Sequence, residues 1–176
     1  MIRRLILAPI LRRIALDRPA KHIDSGGREY LYRVFLAERN GRRYYLHWFA
    51  GVDGERHAHS HPFNGLSIIL SGAYREEILD PHMHTLRHLC DQDTQTAYSM
   101  RTRRLWNRIP AGDDRYHRIV DAKAGTWTLF IADGHCCPWY FAEESPSGRL
   151  VFRVAPSSAG RWWESAPTLR QLLEAR

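Results

Sequence analysis

The chain of 176 residues has room for one domain with a real hydrophobic core and little room for a second. Hydrophobic residues make up 44% and charged residues 26%, as in an ordinary globular protein. The longest apolar runs, SIIL at 67–70 and TLFIA at 128–132, are far too short to cross a bilayer as helices and argue against membrane insertion. The net charge of +7 rests on 26 basic residues, all arginine except Lys21 and Lys123; it favours an anionic ligand, but the arginines are scattered, which argues against nucleic acid as partner.

The first segment, MIRRLILAPILRRIAL, is broken by Arg3, Arg4, Arg12 and Arg13, so it forms no continuous signal-peptide core and no small-residue cleavage site follows. It predicts a short amphipathic helix within residues 1–20, bent near Pro9, that packs on the body or on a partner; docking on a membrane surface is the alternative. Strand character then recurs at 29–37, 42–50, 66–70 and 73–79, and again in YSMRTRRLWNRIP, RYHRIVDA, GTWTLFIAD and RLVFRVA. Turn residues separate these runs at Arg39-Asn40-Gly41, Ser71-Gly72, Ala111-Gly112 and Ser145-Pro146-Ser147-Gly148. Eight or nine short strands across residues 28–155 predict an all-β sandwich or barrel. The polar, histidine-rich stretch from Pro81 to Gln95 reads as a loop, and the arginines at 101, 103 and 104 as a solvated strand face. The tail predicts a short helix within residues 162–176, begun near Pro167 and carrying Leu169, Leu172 and Leu173 on one face. Three cysteines, two of them adjacent, make a poor disulfide framework, so free thiols and a cytoplasmic setting are expected. Exposed strand edges and the N-terminal helix suggest a homodimer.

One stretch carries chemistry. In GERHAHSHPFNGLSIILSG, His57, His59 and His61 occupy alternate positions, so on a strand their rings share a face. A divalent transition metal is held by neutral imidazole nitrogens, and two of them at i and i+2 can aim at one ion. A third must come from elsewhere in the chain, and His117, carried by a strand after a glycine turn, is the best candidate. Glu76 could add an oxygen ligand or a base, with Tyr74 on the same face as a hydrogen-bond donor, unless that face is solvent-exposed. A second group, His82, His84, His88 and Cys90, lacks the spacing of a zinc finger and reads as part of the solvated loop.

These residues resemble the motifs of the cupin superfamily. His59-x-His61 is followed by Gly65 and Gly72 at the spacing of the first cupin motif, and Pro110-Ala111-Gly112 with His117 and Asp121 approximates the second. The resemblance covers roughly residues 28–135, and HSHPFNGLSIILSGAYREE with WTLFIADG looks like a group of small bacterial and phage cupins. Gly65 stands where cupins commonly carry a glutamate ligand, and Asp121 where they carry asparagine. The resemblance implies a cupin-type jelly-roll β-barrel, the double-stranded β-helix, with short terminal helices. It implies a metal site at His59, His61 and His117, the pair His59/His61 fitting the spacing to Gly72 better than His57/His59. His57 then faces substrate or supports a ligand, or else lies exposed at the rim. Three histidines without a carboxylate resemble the sites of thiol dioxygenases, which implies ferrous iron and oxygenation of a small polar or anionic metabolite, with zinc, nickel or manganese as other ions. A ligand-binding cupin without turnover, and a metal-independent sugar-nucleotide epimerase or isomerase, are the alternative readings.

Overall fold

The computed structural model describes residues 2–25, 28–51, 57–93, 97–156 and 160–175. Among the described residues, twelve strands form two six-stranded antiparallel sheets. The first sheet has the order β1 (Ala20–Ser25), β2 (Arg28–Arg39), β3 (Arg42–Phe49), β10 (Thr126–Ala132), β5 (Gly65–Ser71) and β8 (Trp106–Ile109). The second has the order β12 (Leu150–Val154), β11 (Tyr140–Glu144), β4 (Ala58–His61), β9 (Gly112–Ala122), β6 (Tyr74–Leu79) and β7 (Tyr98–Arg103). Strands adjacent in sequence are repeatedly dealt to opposite sheets, as β4 and β5 are, and this alternation winds the chain into a jelly-roll barrel.

Alternation in the first sheet builds two different surfaces. Tyr32, Val34, Leu46 and Trp127 lie on its outer face, where Leu11 and Ala15 of α1 (Ile2–Leu16) and Leu169 of α3 (Leu169–Glu174) cover them. Leu169 is fully buried, a contribution of about 2 kcal/mol. The helix α1 runs on through Pro9, and α3 starts at a capping box in which Thr168 and Gln171 exchange hydrogen bonds. The inner face presents Leu31, Arg33, His47, Phe49 and Phe130 to the barrel interior. Gly72 makes the turn between β5 and β6 possible: its φ is +86°, and a Cβ there would collide with the Thr126 side chain.

Three expectations are corrected. Residues 81–89 form a helix, α2 (Pro81–Leu89), not a loop, because Asp80 accepts a hydrogen bond from the Met83 amide at 3.0 Å and Pro81 supplies a preset first turn. The run 98–110 is not one strand: β7 and β8 belong to different sheets, and the chain crosses between them at Arg104 and Leu105. Nor is Arg103 part of a solvated face, since it turns inward to Glu76.

Candidate metal centre

β4 is only AHSH, and its alternation sets the site. Ala58 and Ser60 are buried on the outer side of the second sheet, Ser60 accepting a hydrogen bond from the Tyr140 amide at 3.0 Å, while His59 and His61 line the barrel cavity. β9 runs antiparallel to β4 with His117 opposite His59, and a register shift between His59 and His61 follows. His61 Nε2 and His117 Nε2 stand 2.7 Å apart, and the donor atoms of His59, His61 and His117 all lie within 4.8 Å of one another. Two nitrogens bound to one ion at about 2.1 Å are at most about 4.2 Å apart, so closing on an ion asks little movement of these rings. Among the described residues these three form the group able to hold a metal.

The tautomers suit that role. His59 Nδ1 lies 3.3 Å from the His57 carbonyl; donating its proton there leaves the lone pair on Nε2. His117 Nδ1 lies 2.6 Å from Glu76 Oε1 and donates to it, which likewise leaves the His117 lone pair on Nε2. Glu76 is itself fixed from three further directions, by Arg103 Nε at 2.7 Å, Asn107 Nδ2 at 3.0 Å and Arg115 Nη2 at 3.7 Å. Burial alone would raise its pKa, but the hydrogen bond from His117, with hydrogen bonds from Arg103 and Asn107, outweighs burial and holds the carboxyl at about 2. Glu76 is therefore a buried carboxylate behind His117. It does not belong to the converging donor set, and it is not on an exposed face, being 1% accessible.

Tyr74 lines the same cavity and packs on Phe49, with ring centroids 5.7 Å apart. Burial raises its pKa, so Tyr74 is a neutral phenol at the cavity wall. His57 falls outside the cavity: its side chain is 55% exposed and lies 3.6 Å from Glu143. Its connection to the site is its backbone carbonyl. The α2 group does not assemble either. His84 is buried against Tyr98, whereas His82 and Cys90 are exposed.

The cavity between the sheets has a volume of about 70 Å³. Sequence reading missed two polar groups that the first sheet contributes, Arg33 and His47. Arg33 Nε donates to His47 Nε2 at 3.1 Å, and the His47 ring stacks on Phe130 at 4.8 Å. Burial, then the charge of Arg33, holds the His47 pKa well below its ordinary value. Gly65 starts β5 where a Cβ would stand 3.0 Å from the Phe130 ring, so a larger side chain there requires that ring to give way.

No family model matches the chain, and no curated protein matches it. Solved structures do. Fe(II) HppE in complex with substrate gives a TM-score of 0.45 at 11% identity over 66% of this chain and 56% of that one. Oxalate decarboxylase from Bacillus subtilis gives 0.44 at 14% identity, over 68% of this chain and 28% of that one. A sugar phosphate isomerase from a cupin superfamily, from Silicibacter pomeroyi, gives 0.42 at 13% identity over 81% of this chain and 91% of that one. The strand order and the His59–His117 pairing, rather than these scores, carry the assignment. The chain has the cupin fold.

Proposed function

We propose that this cupin is a metal-dependent oxygenase, in which His59, His61 and His117 hold one ferrous ion and the substrate is a small polar or anionic molecule. The observation that carries the reading is the convergence of three imidazoles, with no carboxylate among them, on the wall of an internal cavity. The donor set fits a divalent ion, because hydrogen bonds at Nδ1 of His59 and His117 leave both Nε2 atoms as ligands. A ferrous ion held by three protein nitrogens supplies open positions for substrate and dioxygen. The chain's own residues do the rest. Glu76 keeps the Nδ1 proton of His117 in place, and Arg103 and Asn107 keep Glu76 in place. Tyr74 offers a neutral hydroxyl at the cavity wall, and Phe130, Ile109 and Leu31 restrict water.

The test is anaerobic reconstitution with ferrous, zinc, nickel and manganese ions, followed by metal analysis and oxygen uptake against a panel of small metabolites. One ferrous ion per chain with substrate-dependent oxygen uptake is expected. Metal binding with no uptake for any metabolite would favour a ligand-binding cupin, and turnover of a sugar nucleotide by chelated protein would favour an epimerase. A homodimer in a cytoplasmic setting completes the reading. Light scattering would test the first, and titration of three free thiols, Cys90, Cys136 and Cys137, fits the second.

A further inference from the structure

The helix α1 is apolar on two faces. Leu11 and Ala15 turn inward and are buried against the first sheet, yet Ile6, Ile10 and Ile14 remain 61, 50 and 48% exposed. Steps of four residues set these three in one row, about 12 Å long at 1.5 Å per residue. Because α1 covers the outer face of the first sheet, the row looks away from the barrel, and packing on the body does not explain it. The charge around the row has one sign. Residues 1–20 hold five arginines, at 3, 4, 12, 13 and 18, and a single acid, Asp17. Arg170 already occupies that acid, with Nε 3.0 Å and Nη2 2.9 Å from Asp17 Oδ1. Arg13, three residues after Ile10, is exposed, and so is Lys21 just beyond the helix.

We propose that this row is a docking surface for an anionic lipid bilayer, on which α1 lies flat with Ile6, Ile10 and Ile14 among the acyl chains and Arg13 at the headgroup phosphates. The helix lies on the bilayer and does not cross it: α1 has 15 residues, and no described helix is long and apolar enough to span. Attachment of such a helix grows with the apolar area it buries and with its attraction to anionic headgroups, and this surface supplies both. A second copy of the chain fits it less well. Three isoleucines fall far short of the roughly 800 Å² that each partner of a stable dimer buries. Twofold pairing would also bring two arginine-rich segments together, with Asp17, the one acid of each, already held by Arg170. The inference is independent of the metal reading.

The experiment sediments the full chain with vesicles of phosphatidylcholine alone and with vesicles in which about a third of the lipid is phosphatidylglycerol, at about 0.1 M and 0.5 M salt. The parent should partition onto the anionic vesicles about tenfold or more strongly than onto the neutral ones, and high salt should weaken that preference. Arg13→Gln should weaken partitioning about fivefold, the share of one basic side chain near the surface. The triple variant Ile6→Ser, Ile10→Ser, Ile14→Ser should lose pelleting altogether while keeping the parent's circular dichroism; if it does not fold, Ile10→Ser alone should show a severalfold loss. Three results overturn the proposal: no pelleting of the parent with either vesicle, equal pelleting with both, or parental pelleting by the isoleucine variants. Light scattering without lipid supplies a fourth, since a dimeric parent that becomes monomeric when the isoleucines are replaced would give the row to a second copy of the chain.

Discussion

Replacing Glu76 by Gln tests how the site is held together. Glutamine keeps the shape of the side chain but removes a charge that faces Arg103 at 2.7 Å and Arg115 at 3.7 Å, in a residue that is 1% exposed. Taking one partner from a buried ion pair costs about 3–5 kcal/mol. The lower end applies, because the arginine side chains are 18% and 28% exposed and water compensates part of the loss. A carboxyl held at about 2 instead of 4.5 points to the same size of effect, about 3 kcal/mol. With a typical urea dependence of about 2 kcal/mol per molar, the unfolding midpoint should drop by about 1.5 M. The variant also loses the carboxylate that accepts the His117 Nδ1 proton, so affinity for a divalent ion should fall about 10- to 100-fold. A midpoint within about 0.2 M of the parent, together with unchanged metal affinity, would refute the network described for Glu76.

Other outcomes follow from single residues. The folded-state pKa of His47 is depressed, so the unfolded chain takes up that proton first; its contribution is intact above about pH 6.5 and is lost as pH falls below it. Urea midpoints at pH 7.5 and 5.5 should therefore diverge more in the parent than in His47→Gln, and equal losses in the two proteins would contradict the burial argument. Gly72→Ala must place a Cβ against Thr126 at a φ of +86° and should cost about 1–3 kcal/mol in thermal unfolding; a loss under about 0.5 kcal/mol would show that the turn relaxes freely. Gly65→Glu should destabilise the barrel by about 1–3 kcal/mol against Phe130 without improving metal retention. Tighter metal binding at parental stability would show that a carboxylate ligand can be accommodated there.

The barrel and the histidine group were legible because they depend on local pattern. Alternation in AHSH places His59 and His61 on one face, and a glycine turn marks the strand that brings His117. The supporting residues were not legible. β2 and β3 are covered on both faces, by helices outside and the cavity inside, so Tyr30, Tyr32 and Val34 give no polar alternation to mark Arg33 as inward. The partners of Glu76 are 27 to 41 residues away in sequence, and only strand register brings Arg103, Asn107 and His117 to it. The helix α2 was missed for a different reason: His82, His84 and His88 suggested a solvated loop, while the start signal, Asp80 before Pro81, lay just ahead of them. His57 shows the limit of alternation, since β4 begins only at Ala58 and the residue before a strand does not inherit its face.

The central claim, that His59, His61 and His117 together hold a metal ion, is tested most directly by metal analysis of the reconstituted parent beside His61→Ala, His117→Ala and His57→Ala. The parent and His57→Ala should each carry one divalent ion per chain, and the other two variants close to none, with all four giving the same circular dichroism. Retention of metal by His61→Ala while His57→Ala is empty would contradict the ligand set, and equal occupancy in all four would place the metal elsewhere.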